Sequence, residues 1–111
     1  AAVAPGADIE SSAVIRVVYR WRLEPGRSTD FVRWWHEMTL RIRSGQPGAM
    51  GSTLLRAGHD DAQLVGIARW ESEEQLVAFW ERMSPLEFPG AVLESMEILE
   101  ELDHLTLEGR R

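Results

Sequence analysis

From Ile15 to Leu23 the chain alternates with period two. Ile15, Val17, Tyr19, Trp21 and Leu23 share one parity; Arg16, Val18, Arg20 and Arg22 share the other. Successive strand side chains point to opposite faces, so the pattern predicts a strand over Ala13–Leu23 with one apolar face. The period then changes. Phe31, Trp34, Trp35, Met38 and Ile42 recur at spacings of three and four, which predicts an amphipathic helix with an inward aromatic stripe. This switch is the strongest constraint in the chain, because an apolar strand face and an aromatic helix stripe must bury each other. Glu24-Pro25-Gly26-Arg27 reads as the turn between them. Ser28 is the expected N-cap, and Asp30 favours the positive helix end. Arg33, Glu37 and Arg41 lie four apart on the outer face and can pair. Gly45, Pro47 and Gly48 end the helix.

The same two periods recur downstream. Ala49–Ala57 reads as a strand, Gly58-His59-Asp60-Asp61 as a tight connection and Ala62–Trp70 as the hairpin partner strand. Ser72 and Gln75 form a capping box, and Leu76, Phe79, Trp80 and Met83 give a second inward stripe. Ser84-Pro85-Leu86-Glu87 repeats the capping signal and predicts a short helical turn, broken at Pro89-Gly90. Residues 93–107 carry two readings. Glutamate content favours helix, whereas the parity of Met96, Ile98 and Leu102 and the need for a closing partner favour strand. With a closing strand the order is β-α-β-β-α-β, an α+β fold of ferredoxin-like type: one four-stranded antiparallel sheet with both helices on one face. The expected division is a flexible arm over residues 1–12, a domain over residues 13–107 and a tail over residues 108–111.

Composition excludes several roles. The 111 residues carry a net charge of −6, which argues against binding a nucleic-acid backbone. No apolar run approaches the roughly 20 residues that span a bilayer, and residues 1–12 lack the pattern of a signal peptide. The chain has no cysteine, which removes disulfides, thiolate metal sites and cysteine nucleophiles and fits a cytoplasmic protein. His36, His59 and His104 show no metal-ligand spacing, so no metal site is expected. No glycine-rich phosphate loop is present, and no cofactor is expected. All 12 basic residues are arginine, a bias that coding composition explains; arginine also suits fixed, planar ion pairs.

Helices on one side leave the other sheet face bare. Arg16, Arg20 and Arg22 on the first strand should face Glu97, Glu101 and Asp103 on the last. A self-complementary face carrying both signs suits a two-fold homodimer; a solvated face on a monomer is the other reading. Arg69 is expected to pair with an acid across the sheet, or to meet an anionic or carbonyl-bearing substrate.

Three segments carry a resemblance to a known family. They are Arg22-Leu23-Glu24-Pro25-Gly26-Arg27, the run from Ser44 to Gly51 (SGQPGAMG), and Ala68-Arg69-Trp70-Glu71-Ser72 followed by Glu73-Glu74-Gln75-Leu76. From Val14 to Leu105 the chain resembles the antibiotic biosynthesis monooxygenase family of the dimeric α/β barrel superfamily. The resemblance implies a homodimer and a substrate bound between helices and sheet. Members of that family include cofactor-free oxygenases, heme-degrading enzymes and quinol oxygenases. The heme-degrading members use an Asn on the first strand, a Trp in the second helix and a His after it. The matching positions here hold Tyr19 and Phe79 or Trp80, and Arg82 to Phe88 supplies no His.

The candidate site follows from both arguments. Tyr19 and His36 are the candidate catalytic residues, Tyr19 as a phenol that holds or deprotonates a substrate and His36 as a base titrating near neutrality. Trp21, Trp34, Trp35, Phe79 and Trp80 are the candidate substrate-binding walls. The competing reading makes these aromatics core, with their polar atoms satisfied by backbone. The implied activity is cofactor-independent oxygenation of a small aromatic or polyketide-like molecule. A non-catalytic ligand-binding dimer and heme binding are the alternatives.

Overall fold

The computed structural model describes residues 13–83 and 87–104. The elements are β1 (Ile15–Leu23), α1 (Ser28–Gly45), β2 (Ala49–Ala57), β3 (Asp60–Trp70), α2 (Glu73–Arg82) and β4 (Ala91–Glu100). The four strands form one antiparallel sheet in the order β2-β3-β1-β4. The expected βαββαβ fold is therefore present, and residues 91–100 resolve the helix-or-strand ambiguity in favour of strand. The expected helical turn at residues 84–86 lies outside the described residues.

Each element begins or ends for a local reason. Ser28 is not the N-cap: α1 starts on it, and the capping position belongs to Arg27, which makes no side-chain cap bond. Ser72 does cap α2, its hydroxyl accepting from the Gln75 backbone N–H at 3.2 Å. The β2–β3 connection turns through Gly58 at φ +62°. The sheet bulges near Gly51, where the register between Ala49 and Ser52 shifts and φ is +108°.

The core face of β1 behaves as its parity predicts. Ile15, Val17, Tyr19, Trp21 and Leu23 are buried with Phe31 and Trp35 of α1, Leu64 and Trp70 of β3, and Leu76 and Phe79 of α2. β4 is different. It forms an edge, and nearly all of its residues are exposed, including Leu93, Met96 and Leu99. The helices cover the other strands and leave this one largely bare.

The charge pairing across β1 and β4 is real but differently distributed. Arg16 meets Glu101 at 2.9 Å and Arg22 meets Glu94 at 2.6 Å, whereas Glu97 stands opposite Val18. On α1, Arg33 pairs back to Asp30 at 3.7 Å. Glu101 also takes two bonds from Arg69, at 2.9 and 2.8 Å, so one carboxylate ties β1 and β3 to the chain beyond β4. Arg16 donates to His104 Nδ1 at 2.8 Å as well. The Glu101 carboxyl is held at about 2, chiefly by the Arg69 bond, against the opposing effect of burial, with Arg16 adding to the depression.

This pairing predicts an acid-sensitive fold. A depressed carboxyl contributes stability that is complete above its unfolded value near 4.5 and lost as pH falls toward 2. Glu101→Gln should therefore lower stability by about 2 kcal/mol at pH 7 and flatten the pH dependence between those values. Thermal unfolding from pH 2 to 7 checks it; an unchanged slope in the variant would assign the acid sensitivity elsewhere.

Candidate functional site

The helix–sheet layer holds a continuous aromatic system. Trp21 meets Phe31 at 5.2 Å, Trp34 at 6.1 Å and Trp35 at 6.4 Å between ring centroids. Phe88 closes one end, 5.2 Å from Phe31 and 5.4 Å from Trp34. Tyr19 meets Trp35 edge-on at 5.8 Å, and Trp70 meets Phe79 at 5.2 Å. Sequence alone does not show how two adjacent tryptophans divide their roles. Here Trp35 is buried against the sheet and Trp34 is half-buried toward Phe88.

Two of the spaces in and beside the layer bear on a site. The inner one is a cavity of ≈ 30 Å³ bounded by Tyr19, Trp35, Met38, Ser52, Ala68 and Phe79. About 10–15 Å³ holds one water, so this cavity is far too small for an aromatic ring. The outer one is an open cleft of ≈ 630 Å³ edged by Trp21, Phe88, Gly90, Ala91 and Leu93. Its rim is pinned: Arg27 donates to the Pro89 carbonyl at 3.0 Å and lies over the Phe88 ring at 5.0 Å. The Glu24 N–H donates to Gly90 O at 2.8 Å.

The polar atoms of the layer fall into two groups. In the inner compartment the Trp35 indole donates to Ser52 Oγ at 2.9 Å, and Ser52 and Thr39 hydroxyls share a bond at 2.7 Å. The Tyr19 phenol is pushed up by burial, an effect partly offset by the Trp80 indole N–H, which donates toward its oxygen. Tyr19 is thus a neutral phenol at neutral pH, suited to hydrogen bonding more than to proton abstraction. Trp21 differs: its indole N–H is buried and has no acceptor among the described residues.

The candidate residues from sequence are only partly gathered together. Tyr19, Trp35 and Phe79 line the inner cavity, Trp21 lines the cleft, and Trp80 reaches Tyr19. His36 does not join them. It is exposed on α1 and lines neither compartment, because it follows Trp35 by one residue and a helix turns it about 100° away. Phe88 and Gly66 are the contributions that sequence reading missed. Gly66 sits inside β3 opposite Tyr19, and a Cβ there would lie 2.5 Å from the Trp35 ring. A lone glycine within a strand pattern is the signal that marks such a close approach. Among the described residues no group of His, Asp or Glu could hold a metal ion, and no helix is long and apolar enough to cross a membrane.

The family described as antibiotic biosynthesis monooxygenase matches residues 14–84. The chain belongs to the antibiotic biosynthesis monooxygenase family. A search of curated proteins finds no sequence match. Among solved structures, the chain is similar to a candidate monooxygenase from Shewanella loihica, with 16% identity, TM-score 0.66, and 84% and 98% of the two chains covered. It is also similar to the heme-degrading protein of Mycobacterium tuberculosis, with 21% identity, TM-score 0.61, and 85% and 98% covered. A second structure of that protein, with two hemes bound in its active site, aligns at 17% identity and TM-score 0.62, with 84% and 99% covered. At these identities the likeness establishes the fold that members of the family share.

Heme can be tested against the residues present. His36 is on the outer side of α1, His59 in the β2–β3 turn and His104 beyond β4; all are exposed, and none lines the cleft. The cleft therefore offers no imidazole to an iron, and its donor chemistry does not fit a histidine-ligated heme.

Proposed function

We propose that the protein is a cofactor-independent monooxygenase acting on a small aromatic or polyketide-like substrate bound at the edge of the helix–sheet layer, in the Trp21 cleft walled by β1, residues 87–90 and the start of β4. The observation that carries this reading is the buried Trp21 N–H, which has no acceptor among the described residues and belongs to a ring that lines the cleft. Leaving a buried donor unmade costs about 1–3 kcal/mol, and a substrate carbonyl or phenolic oxygen supplies the acceptor. The surrounding rings offer edge and face contacts to an aromatic body. Such a substrate carries a CH₂ flanked by aryl and carbonyl groups. Its proton leaves to water or hydroxide in the open cleft, the oxygen of the resulting enolate is held by the Trp21 indole N–H, and the carbanion passes an electron to dioxygen. Recombination gives a peroxide that loses water, so CH₂ and O₂ become C=O and H₂O. Protein groups supply orientation and charge stabilisation at the developing oxyanion. Neutral Tyr19 lines the inner cavity, two residues along β1 from Trp21 of the cleft, and His36, on the outside of α1, lines neither.

The test is direct. Aromatic ketones should quench tryptophan fluorescence and be consumed with oxygen uptake. Trp21→Phe should weaken binding about tenfold, the loss of roughly one hydrogen bond, while His36→Ala leaves binding unchanged. Ligands that never quench, or bind equally to Trp21→Phe, would sink the reading. The packed inner compartment favours a second reading, a binding module without turnover: ligand quenching with no oxygen uptake would establish it.

The same reading includes a homodimer through the open sheet face. Val18, Val65 and Ile67 form its centre, flanked by Leu55 and Leu99, which are 46% and 45% exposed. An apolar centre flanked by Arg16, Arg20, Arg22 and Glu97, charges of both signs, is what a second copy would cover. Light scattering should give twice the chain mass, and Leu55→Glu with Leu99→Glu should give the monomer. A wild-type monomer at micromolar concentration would contradict it.

A further inference from the structure

The inner cavity calls for its own explanation, because no aromatic substrate fits it and the aromatic cleft does not need it. We propose that it is a dioxygen site. Its ≈ 30 Å³ corresponds to about two adjoining water-sized spheres, the length of a diatomic molecule. Most of its wall is carbon: Tyr19, Trp35, Met38, Ala68 and Phe79. A retained water needs two to four polar partners, and most of the polar side chains here are already engaged, Arg43 being the lining group without a bond to another described residue. Trp35 Nε1 and the Thr39 hydroxyl both bond Ser52 Oγ, and Arg69 is bound to Glu101. An apolar molecule with no hydrogen bonds to lose is the species this lining favours.

Local sequence builds the void. Gly66 lets the Trp35 ring lie directly on β3, and Ala49 and Ala68 leave space where larger residues would fill the layer. Tyr19 and Trp21 are two residues apart on one strand face, so the cavity lies one pleat inward from the proposed substrate cleft. Naming the gas as dioxygen rests on the oxygenase reading; the gas site itself does not.

Crystals of the full chain under krypton pressure should show krypton between Tyr19, Trp35 and Ala68. Dissolved dioxygen, being paramagnetic, should relax the methyl protons of Ala49, Ala68 and Ile42 more than those of buried Leu76. Ala68→Val should abolish both signals by filling the cavity, with Ala49→Val as the second filling variant should the first misfold. Ordered waters in place of krypton, or relaxation no greater than at Leu76, would overturn the proposal. Gas binding without any aromatic ligand binding would leave this site standing and remove the oxygenase reading; aromatic binding without gas binding would do the reverse.

Discussion

Gly66→Ala should destabilise the protein by about 2–3 kcal/mol and expel Trp35 from its seat. A glycine-to-alanine change on extended backbone ordinarily stabilises by about 0.4–1 kcal/mol, because the unfolded chain loses freedom. Here the added Cβ would stand 2.5 Å from two carbons of the Trp35 ring. Overpacking a filled core costs about 1–3 kcal/mol, and displacing the ring breaks its 2.9 Å bond to Ser52, worth about 1 kcal/mol more. The steric and polar losses outweigh the entropic gain. For a domain of this size each kcal/mol moves Tm by roughly 4–8 °C, so a fall of roughly 10–20 °C is expected. Gly45→Ala is the control, since nothing lies within 4 Å of a Cβ there. Trp35→Phe should recover part of the loss in the Gly66→Ala background. A Gly66→Ala variant as stable as wild type would mean that the ring does not rest on β3.

Phe31→Ala should be costlier, at about 3–5 kcal/mol. Phe31 is 0% exposed, and it touches Trp21, Trp34, Trp35 and Phe88 at once. Its loss leaves a cavity among rigid rings that cannot collapse into it easily. It also frees the wall of the cleft, so near-ultraviolet circular dichroism should lose intensity even where the fold persists at low temperature. Phe31→Leu, which keeps much of the volume, should cost less than half as much. Equal effects of the two substitutions would show that ring packing contributes little here.

Much of this architecture is legible before any coordinates. The alternation at Ile15–Leu23 and the spacing of Phe31, Trp35, Leu76 and Phe79 select the buried face, because burial is a property of periodicity that the chain carries locally. The Arg69 pairing was also legible as an acid across the sheet, though not its partner. The start of α1 was less so: Ser28 carries the right side chain, but the turn at Gly26 brings Arg27 to the capping position. β4 was ambiguous because its residues are exposed on both faces, and an uncovered strand has no one-sided pattern to impose.

The aromatic layer divides along the same line. Its membership, Tyr19, Trp21, Trp34, Trp35, Phe79 and Trp80, follows from spacing along strand and helix. Whether it is open does not. That depends on a glycine in β3, on Phe88 arriving from beyond α2, and on an indole N–H of Trp21 that finds no acceptor among the described residues. His36 shows the same limit: a titratable residue beside two tryptophans is adjacent in the chain and on another face of the helix. Periodicity decides which side of an element faces inward, since it needs only neighbours in sequence. The size of a cavity and the satisfaction of a buried donor depend on distances between segments far apart in the chain, and those exist only once the layer is packed.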